Sequence, residues 1–387
     1  MKEVGNEKLH RVRSLLHKTT HAAWVFILKN LVLCIAALAA VVTAFFVPPD
    51  SEYVSYFDFK TLTCLFCTLA VVCALRNIRF FTVLAQKIVA VFKNTRASIL
   101  ALVYITFLGS MLIANDMALL TFLPLGYFVL SSTGKQKYMA FTFIMQNIAA
   151  NLGGMLTPFG NPQNLYLYSK FSIPTGEFMW TMFPPFALSI VLITLCCFLF
   201  VRKEPLAVDG GQIRLPKART AIYGVLFALS IVIVFRVMPF WVGLIVVPVA
   251  LLIMDRKALA QVDYGLLLTF VAFFIFAGNM ARIEGVQNFF GSLMSKNPLL
   301  VSALSCQVIS NVPSAILLSQ FTTNYRALLV GVNIGGVGTL ISSLASLITF
   351  RQYAAYDKKG VGKYFGLFTA FNFAFLGILL VVELFLI

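Results

Sequence analysis

Charge is scarce in this chain. Only 11% of its 387 residues are Asp, Glu, Lys or Arg, less than half the share carried by an ordinary soluble protein. Polar intervals are short as well. The longest runs from Arg202 to Thr220, too few residues to bury a core, so a separate soluble catalytic domain is excluded. Histidine is confined to His10, His17 and His21 in the N-terminal arm, where these residues read as solvated rather than as ligands. The sequence has no H-E-x-x-H, no Gly-x-Gly-Asp and no Ser/His pair within an apolar block, so it supports no intramembrane enzyme and no catalytic residue. The cysteines (Cys34, Cys64, Cys67, Cys73, Cys196, Cys197 and Cys306) all lie in apolar stretches, where a thiol is a small buried hydrophobe. Cys64-x-x-Cys67 has no second Cys/His pair to complete a zinc or redox centre, so no metal and no cofactor is expected.

What the chain does have is apolar residues, 60% of the total, and cations, 30 Lys and Arg against 14 Asp and Glu. A formal charge of +16 in a soluble protein would suggest nucleic acid, because clustered cations neutralise phosphates. Here the basic residues sit between apolar blocks, so nucleic acid is not an expected partner. They mark instead one side of a lipid bilayer crossed many times.

Nine runs are long enough to cross, given about 20 apolar residues per helix: Ala22 to Val47, Phe59 to Leu75, Tyr138 to Tyr168 with a break, Phe183 to Val201, Ala221 to Val237, Phe240 to Met254, Gly265 to Ala281, Tyr325 to Phe350 with a break, and Phe365 to Ile387. The first has the basic start and small residues (Ala36 to Ala40) of a signal peptide, but its apolar run continues to Val47, so it reads as a retained span. Ala97 to Leu130 and Pro298 to Phe321 are interrupted by Asn115-Asp116 and Ser310-Asn311. Both read as re-entrant hairpins that dip in, turn at a polar tip and return. Between the second run and the first hairpin, Phe80 to Lys93 has the apolar spacing of an interfacial helix.

Charge tests this arrangement. With the basic arm (Lys2, Lys8, Arg11, Arg13, Lys18) cytoplasmic and both hairpins re-entrant, 23 of the 30 cations fall inside, and Lys29 snorkels from the first span. Acidic Asp50, Glu52, Asp58, Glu177 and Glu284 gather outside. Counting either hairpin as a crossing would put the basic loops that follow it on the wrong side. The expected location is the plasma membrane, multi-pass, with the N-terminus cytoplasmic and the C-terminus extracytoplasmic.

The two halves repeat each other. N-L-G-G-M-L-T-P-F-G-N-P-Q-N-L from Asn151 lies over N-I-G-G-V-G-T-L-I-S-S-L-A-S-L from Asn333, with Asn151/Asn333, Gly153/Gly335, Gly154/Gly336, Thr157/Thr339 and Leu165/Leu347 identical. A hairpin tip precedes each, and an Asp-aromatic entry (Asp58-Phe59, Asp263-Tyr264) precedes each tip. The charge-derived topology runs the two copies in opposite directions. The expected fold is therefore an all-α polytopic membrane protein with inverted repeats, two re-entrant hairpins and two broken helices. Its expected parts are a first membrane repeat over 1–201, a cytoplasmic linker over 202–220 and a second repeat over 221–387.

The breaks carry the chemistry. Gly153-Gly154 and Thr157-Pro158-Phe159-Gly160-Asn161-Pro162 cannot continue a regular helix. Asn161-Pro162 reads as the cap and first-turn proline of a half-helix Gln163 to Phe171, whose N-terminus offers N–H groups to an anion. Thr339, Ser342, Ser343 and Ser346 supply hydroxyls at the second break. The expected substrate site comprises Asn115, Gly160, Asn161, Pro162, Asn164, Asn311, Thr339, Ser342 and Ser343. The coupling-ion site comprises Asn115, Asp116, Thr157, Ser310 and Asn311. Asp116 is either a carboxylate that couples transport to Na+ or H+, or simply an N-cap for a helix Met117 to Leu130.

A-N-D-M-A-L-L-T-F-L-P-L from Ala114, S-N-V-P-S-A-I-L-L from Ser310 and the two paired motifs quoted above together resemble the ion transporter superfamily. That superfamily includes citrate-transporter-like and divalent-anion/sodium symporter permeases, arsenite-efflux permeases and some sodium/proton antiporters. The resemblance runs from about Asp58 to Phe350. It implies a scaffold with a mobile transport domain, a homodimer, and elevator-like alternating access, with Asn115 and Asn311 at the tips and Gly160-Asn161-Pro162 and Ser342-Ser343 at the breaks. The divalent-anion symporters carry Ser-Asn-Thr at both tips, where this chain has Ala114-Asn115-Asp116 and Ser310-Asn311-Val312. Ser342 also stands where relatives often have Gly. The expected function is secondary active transport of a small anion, carboxylate or oxyanion, coupled to Na+ or H+. Na+/H+ antiport and arsenite efflux within the same superfamily are the alternatives, and a passive channel is a further one.

Overall fold

The computed structural model describes residues 30–206 and 215–386. The basic arm with its histidines, the start of the first apolar run and the middle of the linker lie outside the described residues. In chain order the helices are α1 (Leu31–Phe46), α2 (Phe59–Asn77), α3 (Phe80–Ala90), α4 (Thr95–Ile113), α5 (Asn115–Ser132), α6 (Met139–Gly153), α7 (Pro162–Lys170), α8 (Thr175–Phe200) and α9 (Lys217–Val234). They continue as α10 (Phe240–Met254), α11 (Arg256–Ala260), α12 (Tyr264–Arg282), α13 (Glu284–Lys296), α14 (Pro298–Ile309), α15 (Asn311–Leu318), α16 (Tyr325–Ile334), α17 (Leu344–Tyr356) and α18 (Val361–Leu386). Among the described residues there is no strand, only an isolated bridge between Asn94 and Pro205. The all-helical expectation therefore holds.

Short polar side chains start these helices. Asp58 accepts the Thr61 N–H at 2.9 Å, Asn94 that of Ala97 at 2.9 Å, Asp263 that of Leu266 at 2.9 Å and Asn297 that of Leu300 at 2.9 Å. Each bond satisfies one of the N–H groups that a first turn leaves without an intrahelical partner. The two halves use the same caps in the same order, Asp then Asn. Each half also places a short helix before its hairpin, α3 in the first and α13 in the second. The sequence reading anticipated α3 but missed α13. Helix α8 begins at Thr175, eight residues before the expected span, and continues through Pro184 and Pro185.

Six described helices are long and apolar enough to cross a membrane: α2, α4, α8, α9, α12 and α18. Their outward faces are apolar, as lipid requires: Val225 on α9 is 68% and Phe385 on α18 87% exposed, a cost that water would not permit over so large a surface. Helix α4 is a full span in length, so the first hairpin is longer than its apolar pattern suggested. The second is short, with arms of 12 and 8 residues.

The described chain divides into two compact units. One joins the stretch ending at Phe57 to Asp263–Ile283; the other holds Asp58–Val262 and Glu284–Ile387. In the first, α1 packs along α12, and Arg282 binds Asp50 at 2.7 Å and the Tyr56 hydroxyl at 3.0 Å. Gly278 permits this contact, since a Cβ there would lie 2.5 Å from the Tyr56 ring. In the second, α2 packs on α9 and α10, α6 lies between the arms α4 and α5, and α14 packs on α16. Pro124 inside α5 removes a backbone donor, and Gln146 of α6 donates to the nearby Phe122 carbonyl at 3.2 Å and to Thr106 Oγ1 at 3.0 Å.

One polar latch closes the base of the first hairpin. Glu204 receives Lys135 at 2.6 Å, Lys137 at 2.7 Å and the Tyr138 hydroxyl at 3.1 Å. Its backbone carbonyl accepts the Thr95 N–H at 2.8 Å, and Leu206 donates to the Lys93 carbonyl at 3.0 Å. The residues after α8 are thus tied to both ends of the helix pair α4 and α5. Hydrogen bonds from Lys135 and Lys137 lower the Glu204 carboxyl to about 2. A depressed carboxylate contributes stability above its unfolded value of about 4.3 and loses it as pH falls through the folded value. Glu204→Gln should therefore unfold at a lower temperature than the wild type at pH 7. That gap should close as pH drops from about 4.3 towards 2, read by thermal unfolding of both proteins across the series.

Candidate functional site

The two helix pairs turn in the same way. Helix α4 ends at Ala114 (φ 61°, ψ 148°) and α14 at Ser310 (φ 74°, ψ 160°), a backbone region that normally belongs to glycine. The next residue in each case is an Asn whose Oδ1 accepts the following N–H at 2.9 Å, from Asp116 in one half and Val312 in the other. The Asn115 N–H donates to the Gly160 carbonyl at 3.2 Å, and the Asn311 N–H to the Ser342 carbonyl at 2.9 Å. Thr157 Oγ1 donates to the Met111 carbonyl at 2.7 Å, and Thr339 Oγ1 to the Gln307 carbonyl at 3.0 Å. Every one of these bonds follows the register of the sequence repeat. The repeat therefore extends to individual hydrogen bonds, and each tip is pinned to the broken stretch of its own half.

Helix α6 stops at Gly153 because the chain must fold back on itself there. A Cβ on Gly160 would sit 2.2 Å from the Gly154 carbonyl oxygen, and one on Gly154 would sit 2.4 Å from Asn161 Oδ1. Pro162 opens α7 at its first position, as expected. Asn161 occupies the cap position, but its side chain makes no cap bond, which corrects the sequence reading. Its Nδ2 instead donates to the Asn151 carbonyl at 3.1 Å and to Asn333 Oδ1 at 3.2 Å. Asp116 is likewise no cap: α5 starts one residue earlier, and Asp116 stands in its first turn.

The first break is held by amides. Asn164 Nδ2 donates to the carbonyls of Gly154, Met155 and Thr157 at 3.2 to 3.3 Å. Asn333, on α16, donates to Asn164 Oδ1 at 2.6 Å and accepts from Asn161 Nδ2 at 3.2 Å and Gln163 Nε2 at 3.3 Å. One residue of the second half thus organises the break of the first. Asn151 Oδ1 accepts Asn115 Nδ2 at 3.2 Å. Gly336 lies beside the second tip and beside the acceptor of the first, since a Cβ there would be 3.2 Å from Asn311 Nδ2 and 3.5 Å from Asn151 Oδ1. Asn115, Asn151, Asn161, Gln163, Asn164, Asn311 and Asn333 are all buried. Two acceptors in this cluster, Asn161 Oδ1 and Gln163 Oε1, have no hydrogen-bond partner among the described residues.

The second break uses a different device. The position matching Asn164 is Ser346, too short to span the loop, and the loop carbonyls are met from the hairpin. Gln307 on α14 donates to the carbonyls of Gly335 at 2.9 Å and Val337 at 3.2 Å and accepts the Thr339 N–H at 2.9 Å. Ser342 Oγ donates to the Gly336 carbonyl at 2.9 Å. Ser343 Oγ caps α17 through the Ser346 N–H at 3.2 Å. Ser346 then continues a buried polar row, receiving Asn147 Nδ2 at 3.3 Å, while Thr349 donates to Asn147 Oδ1 at 3.3 Å.

All the substrate-site and coupling-ion residues expected from the sequence lie at the two tips and the two breaks. Asn115, Asn161, Asn164 and Asn311 belong to the buried amide cluster, while Thr157, Thr339, Ser342 and Ser343 brace the breaks. The sequence reading did not assign Asn151, Gln163, Gln307 or Asn333 to the site. The Asn151/Asn333 identity in the repeat was the available signal for two of them. Among the described residues no group of His, Cys, Asp or Glu is arranged to hold a metal.

A mostly apolar helical protein with paired tips and broken helices around a buried amide cluster is built as a polytopic membrane transporter. The sequence pattern of the citrate transporter family, CitMHS, matches residues 22–325, and the chain belongs to that family. It is 35% identical over 297 residues to the uncharacterized transporter MJ0456 of Methanocaldococcus jannaschii, covering 76% of this chain and 81% of that protein. It is 30% identical over 327 residues to the inner membrane protein YbiR of Escherichia coli K12, covering 81% and 86%. The crystal structure of the YdaH transporter of Alcanivorax borkumensis, described as having an unusual topology, shares the fold with a TM-score of 0.54. That match covers 92% of this chain and 96% of that one at 14% identity.

Asn333→Ala should leave Gln163 Nε2 and Asn164 Oδ1 newly unpaired, costing about 2–6 kcal/mol at roughly 1–3 per buried group, measurable by denaturant unfolding. Gly160→Ala should abolish the folded, monodisperse protein on size-exclusion chromatography. Gly176→Ala, where a Cβ meets nothing within 4 Å, should behave as wild type.

Proposed function

We propose that this protein is a secondary active transporter that moves a small anion, a carboxylate or oxyanion, coupled to Na+ or H+. The observation that carries the reading is the meeting of four helix starts, α5, α15, α7 and α17, at one buried cluster of neutral amides. Helix N-termini favour negative charge. No Lys or Arg stands in the cluster to neutralise an anion, so a cation travelling with it would balance the charge. Asn161 Oδ1 and Gln163 Oε1 offer acceptors for that cation or for the substrate's own hydroxyl. The membership in a family of citrate transporters supports a carboxylate substrate.

In this reading the two helix pairs are re-entrant hairpins, and the halves over 1–201 and 221–387 are inverted repeats joined by the linker 202–220. The N-terminus is cytoplasmic and the C-terminus extracytoplasmic, in the plasma membrane. The hairpins and broken helices move against a scaffold in an elevator-like cycle, within a homodimer. No resident cofactor takes part.

Purified protein in liposomes should accumulate citrate, a C4-dicarboxylate, sulfate or arsenite only when an inward Na+ or H+ gradient is imposed. Asn311→Ala should lower the uptake roughly tenfold, the loss of one bond to a charged group. Uptake that ignores both gradients would exclude coupling, and no flux of any of these anions would exclude the anion reading. Asp116, one residue past the first tip, favours a second reading as an Na+/H+ antiporter. There, Na+-induced dequenching of a pH-sensitive dye in inverted vesicles would appear and vanish in Asp116→Asn.

A further inference from the structure

A cavity of about 310 Å³ lies away from the amide cluster, between the last turn of α2, the amphipathic helix α3 and the middle of α5. It is lined by Arg76, Thr82 and Gln86 from α2 and α3, and from α5 by Leu120, Leu125 and Phe128 with Thr121 among them. None of the ion pairs among the described residues involves Arg76, which donates only to the weak acceptor Met117 Sδ, at 3.9 Å. Arg76 is half-buried. A guanidinium partly withdrawn from water and facing a cavity calls for an anion. Gln86 Oε1 is buried without a hydrogen-bond partner among the described residues. That acceptor calls for a donor carried next to the anionic group.

The rim identifies the kind of molecule. Leu120 and Phe128, which line the cavity, are 41% and 50% exposed. Arg79, just before α3, and Lys87, on α3, are exposed. An apolar rim beside exposed cations is the surface an interfacial helix presents at headgroup depth. We propose that this cavity binds the headgroup of an acidic glycerophospholipid. Its phosphate pairs with Arg76, a glycerol hydroxyl donates to Gln86 Oε1, and an acyl chain lies along Leu120 and Phe128. The site is separate from the transported anion's and independent of which anion that is. A soluble glycerol phosphate shares the polar chemistry but not the chain.

The test is thermal unfolding of the full-length protein in dodecyl maltoside with short-chain phosphatidylglycerol, short-chain phosphatidylcholine, or glycerol 3-phosphate at equal concentration. Phosphatidylglycerol should raise the unfolding temperature by a few degrees through preferential binding to the folded state, and the other two should not. The rise should vanish in Arg76→Gln and shrink in Gln86→Leu, while Asn311→Ala should keep it. If Arg76→Gln does not fold, Gln86→Leu decides alone. An equal rise with phosphatidylcholine, or an undiminished rise in these variants, would overturn the proposal. A full rise with glycerol 3-phosphate would overturn the lipid and leave a soluble anion as the ligand.

Discussion

Backbone groups released by a broken helix inside an apolar layer have no water to turn to, and the rest of this structure depends on how they are met. The first break releases three loop carbonyls, of Gly154, Met155 and Thr157, and a single side chain, Asn164, gathers them. Asn164 is itself held by Asn333 from the other half. An unpaired buried amide costs about 1–3 kcal/mol, so each member of such a network is retained by its neighbours. This explains why the cluster is built of Asn and Gln: a carboxamide can donate and accept at once without the desolvation cost of a buried charge.

The ion pairs among the described residues stand at the edges. Glu204 with Lys135 and Lys137, Arg282 with Asp50, and Arg326 with Glu177 are all partly exposed pairs that tie connections to helix ends. A neutral centre with helix starts around it has a functional logic under the proposed reading. It lets an anion and a cation enter as a pair, because neither meets a fixed countercharge that would hold it after the other has left.

The two halves solve the same problem with different residues. Thr157 and Thr339 make the same bond to their hairpins, and Asn115 and Asn311 the same bond to their breaks. The carbonyls of the second break, however, are met by Gln307 from the hairpin arm, because Ser346 is too short to do what Asn164 does. Gly338, at φ 129°, leaves room for that Gln307 side chain. The second break is therefore fastened to its hairpin more closely than the first, and the first is fastened to the opposite half.

Much of this was legible without coordinates. Apolar runs, Gly and Pro at the breaks, the entries at Asp58 and Asp263 and the Asn151/Asn333 register all act locally or through composition, so the sequence alone determined a helical membrane protein with two tips and two broken helices. It also determined the residues at those four places. Helix α13 escaped because its polar face hides a short apolar stripe. The bonding of Asn161, Gln163, Gln307 and Asn333 escaped for a different reason. An amide donates and accepts in any direction, and its partners here lie between about 10 and 170 residues away along the chain. Only the tertiary structure decided which carbonyl each one serves, because that depends on how the two halves interlock and not on any spacing within one of them.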